Sequence, residues 1–297
     1  MGKITKILCS IFLSFLLAPQ AWSYQEIEVK NGGTIQGKAI LSGNKPQERM
    51  FHLILYPNLD LCAEVDVDEN LNRVLHDFTT GPNRGLKDVV ISLEHVDAGK
   101  PFSDDPIHIL SKKCKFLPAV SIIRQGAAFT VDNKDSVMHN SQVYQSERGK
   151  IILNIPIPPD EVSHGVVHFQ KHYKIMQMIC GMHEFMQTWG YRVQNPYNFL
   201  TNKDGEYKID NIPPGDYIIT AWHYLMKPRK EKVHIDENSL VTIDFDFGGH
   251  EVVRALYETL HKGRFIQDAA DPLTHRGEEL RRHLEEEESE ERKESGN

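Results

Sequence analysis

Turn signals cut residues 24–247 into short apolar or alternating runs, and this punctuation limits the fold more than any other feature of the chain. Asn31-Gly32-Gly33 and Ser42-Gly43-Asn44 bracket an alternating run at 34–40, and 50–56 reads as the next strand. Val89-Val90-Ile91 marks a buried strand within 86–93. After Pro118 come 120–123, a turn at Gly126 and 128–133, then strands at 151–157 and 173–180. A Pro213-Pro214-Gly215 turn splits 205–222 into a hairpin, and 240–247 closes the series. Short strands at such regular intervals define an all-β chain of sandwich architecture. Helical period is confined to the C-terminus, where Val252, Leu256 and Leu260 precede a stop at Gly263. His164, His168 and His172 repeat every four residues, but Val166-Val167 breaks any helical pattern, so they read as a surface series. His223, after Trp222, is expected to pack in the core or at an interface.

The N-terminus predicts export. Lys3 and Lys6 precede an apolar run at 7–18, and Ala21-Trp22-Ser23 supplies small residues at a cleavage site. Residues 1–23 therefore read as a secretory signal peptide, too short to span a bilayer. The mature chain is expected to be extracytoplasmic, periplasmic or secreted, without a transmembrane span. Its formal charge of −8 does not suggest a nucleic-acid partner, because no basic stripe accompanies it. From Gly277 to the end, nine Glu against four Lys and Arg carry −5 of that charge, which reads as a solvated tail.

Export also sets cysteine parity. Losing Cys9 with the leader leaves Cys62, Cys114 and Cys180, an odd number for an oxidising compartment. If Cys62 and Cys114 pair, the bridge closes a loop of about 50 residues and adds up to ~4 kcal/mol in the chain-entropy model. Cys180 is then the thiol to account for. It opens Cys180-Gly181-Met182-His183-Glu184-Phe185-Met186, a C-x2-H-x2-M spacing behind a strand. Upstream, His139 ends the stretch Asn133-Lys134-Asp135-Ser136-Val137-Met138-His139. One thiolate and two imidazoles with a weak axial thioether make the mononuclear blue-copper type of electron-transfer site. The candidate metal ligands are accordingly His139, Cys180, His183 and Met186.

At these residues the chain resembles the cupredoxin (small blue copper) family, with a ligand loop like that of amicyanin. Residues 119–140 resemble that family's strand, turn and Asn-x-Asp…His-Asn element. More closely, the chain is similar to exported cupredoxin-like proteins of the methylamine-utilisation type, which join a copper domain to a carboxypeptidase-regulatory-like β-sandwich. The likeness extends to Cys114-Lys115-Phe116-Leu117-Pro118, to residues 201–207, to Pro213-Pro214-Gly215-Asp216-Tyr217 and to Ala221-Trp222-His223. It implies a Greek-key cupredoxin sandwich with His139, Cys180 and His183 as equatorial ligands of one copper ion and Met186 as the axial one. It also implies that His183 is the solvent-edge exit towards a redox partner protein. Two positions depart from the pattern: Ala119 stands where such proteins have His, and Glu184 where they have Pro. Glu184 and Met182 therefore leave the ligand set open.

The implied organisation is a leader at 1–23, first strands of the regulatory-like sandwich at 24–60, the copper domain at 61–190, the rest of the regulatory-like sandwich at 191–248, and a helix with an acidic tail at 249–297. The sequence has no haem-attachment C-x-x-C-H, no H-E-x-x-H, no G-x-S-x-G and no P-loop. A site with every position filled by protein argues for electron relay and against an enzyme. Two other readings stay open: a binding or structural module with a degenerate copper site, and a copper store using Met176, Met178, Met182 and Met186.

Overall fold

The computed structural model describes residues 24–103, 105–145, 150–170, 173–253 and 282. The signal-peptide reading, His172, the helical positions Leu256 and Leu260 with Gly263, and the acidic tail lie outside the described residues. The described chain is all-β and builds two sandwiches. In the first, a five-stranded sheet runs Lys150–Ile157, His139–Gln145, Ile175–Cys180, Gln187–Val193, Val120–Arg124. It faces a four-stranded sheet of Val162–Val166, Ala128–Asn133, Ile107–Ser111 and Phe116–Leu117. Phe129, Val131 and Ile109 from one sheet meet Val143, Ile123 and Met178 from the other.

The second sandwich pairs the sheet Asn198–Leu200, Val90–Glu94, Gly215–Trp222, Arg229–Ile235 with a sheet built on Gly33–Ser42, flanked by Glu206–Ile212, Leu240–Thr242 and Phe245–Gly248. Its core holds Ile35, Leu41, Ile91, Leu93, Tyr207, Ile219 and Phe247. Strand Glu206–Ile212 shows the expected one-sided alternation, with Tyr207 and Ile209 buried between exposed Glu206, Lys208 and Asp210. Residues 78–96 pack into this core, although they lie in sequence between two segments of the first sandwich. The chain therefore crosses between the sandwiches repeatedly.

Strand Gln187–Val193 is buried on both faces, because the five-stranded sheet is covered by the second sandwich on its outer side. Tyr191 lies with its ring centroid 4.9 Å from that of Trp222, and Trp189 stacks on Tyr224 at 5.4 Å. On the inner side, a Cβ at Gly190 would stand 2.0 Å from Ile123 Cδ1 and 2.7 Å from Met176 Cγ, so any larger residue there requires these side chains to shift. Glu94 ties the two bodies together, accepting from Lys174 of the first and from Lys230 and Thr220 of the second, each at 3.0 Å.

A hairpin of Arg49–His52 and Asn72–Leu75 lies against the first sandwich, with a 3-10 turn at Leu53–Leu55 and a one-turn helix at Leu59–Cys62 between its strands. The strand expected over 50–56 thus stops at His52. Tyr56 N–H bonds back to the Leu53 carbonyl, and Pro57 has no N–H to continue a ladder. Asp68 accepts the N–H groups of Asn70 and Asn72 and so shapes the return. A Cys62–Cys114 disulfide fastens the helix to the turn after Ile107–Ser111.

Candidate metal centre

Two adjacent strands present the site. His139 begins strand His139–Gln145, Cys180 ends the neighbouring Ile175–Cys180, and their antiparallel ladder runs out at the Ser141–Cys180 pair. Past that point, Asn140 N–H points to Cys180 Sγ at 3.4 Å, and the Asn140 carbonyl accepts Gly181 N–H at 2.9 Å. The loop then winds tightly. His183 N–H bonds the Cys180 carbonyl, Met186 N–H bonds the His183 carbonyl, and Cys180 N–H bonds the Met186 carbonyl. These bonds bring His183 back over Cys180.

Upstream, the buried Asn133 amide donates to the carbonyls of Val137, Ile157 and Pro158, while its oxygen accepts Asp135 N–H. This fixes the turn before His139 and directs Asp135 inward. Asp135 Oδ2 lies 2.9 Å from His139 Nε2, and the same carboxylate accepts the N–H groups of Lys113 at 2.5 Å and Cys114 at 2.9 Å.

Three donor atoms face one another. Cys180 Sγ is 3.7 Å from His139 Nδ1 and 3.6 Å from His183 Nδ1, and the two nitrogens are 3.3 Å apart. All three residues are 0% exposed. For a first-row ion held about 2.0–2.1 Å from imidazole nitrogen and about 2.3 Å from thiolate sulfur, angles near 110° give edges of about 3.4 and 3.6 Å. The triangle is the right size for one ion. The remote ring nitrogens are both engaged, His139 Nε2 with Asp135 and His183 Nε2 with the Pro57 carbonyl at 3.1 Å. Such outer bonds leave the Nδ1 atoms to face the sulfur.

Without metal, the site separates charge. Burial opposes ionisation of the Cys180 thiol, but bonds from His139, His183 and the N–H groups of Asn140 and Met182 lower its pKa to about 6. Burial likewise disfavours protonated His139, yet Asp135 and Cys180 raise it to about 9. Burial also works against the Asp135 carboxylate, and His139 with the two backbone donors outweighs it, so its pKa is lowered. Thiolate, imidazolium and carboxylate stand in a row.

Met186 is buried in the same core as Cys180, at the loop's closing turn. Met176 and Met178 pack inside the first sandwich, where Ser141 Oγ reaches Met178 Sδ at 3.5 Å, while Met182 is exposed. Glu184 accepts a bond from Tyr56 Oη at 3.2 Å and belongs to none of the His, Cys and carboxylate groupings gathered within 4.8 Å among the described residues. Ala119 contributes its carbonyl, which accepts Trp189 N–H. His164 and His168 are exposed. His223 is buried between the rings of Phe78 and Tyr224, bonds the Asp77 carbonyl, and has its pKa lowered to about 4 by burial.

One expectation fails. His183 is not at the solvent edge, because residues 53–62 cover it and the Pro57 carbonyl takes its outer nitrogen. Sequence reading also missed Asp135 and Arg73. Asp135 stood four residues before His139 as a visible signal. Arg73 gave none, since only the tertiary fold carries it beneath the site, with its guanidinium 5.0 Å from the Phe185 ring centre.

No protein-family model matches the chain, and no curated protein matches it. Among solved structures it is similar to a purple cupredoxin from Nitrosopumilus maritimus, at 20% identity over 29% of this chain and 99% of that one, with a TM-score of 0.25. It is similar to amicyanin from Paracoccus versutus at 15% identity over 35% of this chain and 97% of that one, with a TM-score of 0.26. A Cu-containing nitrite reductase from Thermus scotoductus SA-01 matches at 17% identity over 32% of this chain and 24% of that one, also with a TM-score of 0.26. Scores and identities of this size carry no argument by themselves. The neighbours are cupredoxins or contain copper by name, and the case for this chain rests on its own donor triangle.

Proposed function

We propose that this protein is an exported electron-transfer protein holding one copper ion at His139, Cys180 and His183, with Met186 as the axial donor. The observation that supports this most is the buried Sγ–Nδ1–Nδ1 triangle, which offers one thiolate and two imidazoles at 3.3–3.7 Å spacing. Bound copper would supply a one-electron change between Cu(I) and Cu(II), for which thiolate and imidazole are suited donors. Cys180 binds as the thiolate that its surroundings favour. Asp135 and the Pro57 carbonyl hold the two rings with Nδ1 facing inward. The buried site excludes water, which argues against a substrate position and for relay to a redox partner protein.

The covered position of His183 shifts the proposed exit. The hydrogen bond from His183 Nε2 to the Pro57 carbonyl leads to an exposed segment, where Leu55 and Pro57 meet solvent. No helix of the described residues is long and apolar enough to cross a membrane. Adding Cu(II) to the purified protein should produce intense thiolate-to-copper visible absorption at one equivalent, abolished by Cys180→Ser. Colourless protein that takes up no copper would overturn the reading.

A further inference from the structure

The Cys62–Cys114 disulfide is not remote from the donor triangle. Both sulfurs and a ring nitrogen of His183 lie within 4.8 Å of one another, and Cys114 Sγ is also within 4.8 Å of His139 and Asp135 donor atoms. All of these side chains are buried. Beside the bridge sits Arg73, 1% exposed, whose Nη2 donates to the Cys62 carbonyl at 2.5 Å and the Lys113 carbonyl at 3.3 Å. Its Nε and Nη1 are buried without a hydrogen-bond partner, and Asp66 approaches Nη1 only to 3.9 Å. Burial lowers the pKa of this guanidinium to about 10. Asp66 and Asp135 act on this buried cation from a distance, and no carboxylate among the described residues hydrogen-bonds it directly.

We propose that Cys62 and Cys114, once reduced, form with His183 a second binding position for a soft monovalent ion of the Cu(I) type, which the disulfide keeps closed. Reduction by a dithiol breaks the S–S bond and transfers two electrons and two protons, leaving two thiols here and a disulfide on the reductant. Cu(I) then displaces the thiol protons to solvent and takes two sulfurs and one imidazole, a donor set that favours Cu(I) over harder ions. Two thiolates around one Cu(I) carry a net charge of −1, and Arg73 supplies the neighbouring positive charge. Cationic neighbours of this kind favour thiolate over thiol. A cavity of about 230 Å³, lined by Cys114, Arg73, Lys115 and Phe185 among others, gives an approach to the bridge. The second position goes beyond the electron-transfer reading but shares His183 with it, whose Nδ1 faces Cys180 and whose Nε2 bonds the Pro57 carbonyl, so the two positions compete for one ring and are tested apart in the Cys180→Ser protein.

The test uses the full chain carrying Cys180→Ser, which removes the first site's thiolate. Cu(I) alone is titrated anaerobically against a chromogenic chelator, with the protein oxidised and after dithiol treatment and removal of the reductant. Reduction should add one equivalent of Cu(I). Adding His183→Gln should weaken that equivalent by about 10-fold or more, on the scale of disturbed metal shells. Adding Cys62→Ser and Cys114→Ser should abolish it. The proposal is overturned if reduction adds no equivalent, if the added one survives loss of both cysteines, if His183→Gln leaves its affinity unchanged, or if reduction removes the β-sheet circular-dichroism signal. Copper colour in the unmodified oxidised protein reports separately on the first site.

Discussion

Asp135→Asn tests how far a buried carboxylate governs the site from behind a ligand. The substitution keeps the shape of the side chain and removes its charge. In the structure that charge is 2.9 Å from His139 Nε2, with both groups buried. A unit charge pair at 4 Å interacts by about 4 kcal/mol at an effective dielectric constant of about 20, and by roughly half of that across the width of an imidazole ring. Removing the anion should therefore disfavour Cu(II) relative to Cu(I) by ~2 kcal/mol. For a one-electron couple at 59 mV per tenfold, this is a rise in reduction potential of about 90 mV. The same change should weaken Cu(II) binding by about 10- to 100-fold, the usual effect of disturbing a carboxylate–histidine–metal arrangement. Potentiometric titration of the copper-loaded protein, followed by its visible band, measures the first effect. Competition with a chelator measures the second. A potential that stays constant or falls would refute the electrostatic reasoning, because Asn keeps the outline and one acceptor oxygen of the side chain while it loses the charge and the second acceptor.

Three further outcomes can be checked without metal. Glu94 has its pKa lowered to about 2, because bonds from Lys230, Lys174 and Thr220 outweigh the burial that would raise it. A depressed carboxylate stabilises the fold above its unfolded pKa, near 4.3, and loses that contribution as pH falls through about 2. Since both lysines are substantially exposed, screening reduces the effect, and Glu94→Gln should cost about 1 kcal/mol at pH 7 and flatten acid unfolding between roughly pH 5 and 2. Asn133→Ala removes three donated bonds and one accepted bond from a buried turn, and should destabilise denaturant unfolding by about 2–3 kcal/mol. An unchanged unfolding midpoint would contradict the role given to that amide. Metal-free Cys180 should titrate near pH 6 by ultraviolet thiolate absorbance; its folded-state contribution is present above the unfolded thiol pKa and is lost as pH falls through about 6. A titration near pH 8.5 would show that the surrounding donors do not reach the sulfur.

Much of the site was legible because it is local. The loop from Cys180 to Met186 closes on its own backbone, whereas strand His139–Gln145, which His139 begins, is absent from the strands read out of turns and apolar runs. Other strands were legible through turn residues and apolar runs, such as Val89-Val90-Ile91. Which sheet each strand joins was less visible. A buried run such as Val90–Glu94 is equally compatible with either sandwich, and only long-range pairing with Gly215–Trp222 decides. The cover over His183 was hidden for a similar reason. Residues 50–56 carry strand-forming side chains, but Pro57 and the bonds around Leu53 end the strand and fold the chain onto the site. Arg73 reads as an ordinary surface residue until the hairpin places it against Phe185 and the disulfide.

The junction between the sandwiches has a practical consequence for anyone dividing the protein. Arg49 of the hairpin forms a buried pair with Asp77 and also donates to Gln187, directly after the ligand loop. The Asp77 carbonyl, in turn, receives His223 and Tyr224 from the second sandwich. Trp189 and Tyr191 continue the same strand into that aromatic contact. A fragment holding the nine strands around Cys180 would carry an exposed apolar wall and would lose the arginine that donates to Gln187, at the foot of the loop that shapes the donors. Any cut between the two sandwiches severs the Trp189–Tyr224 and Tyr191–Trp222 contacts together with the bonds that the Asp77 carbonyl receives.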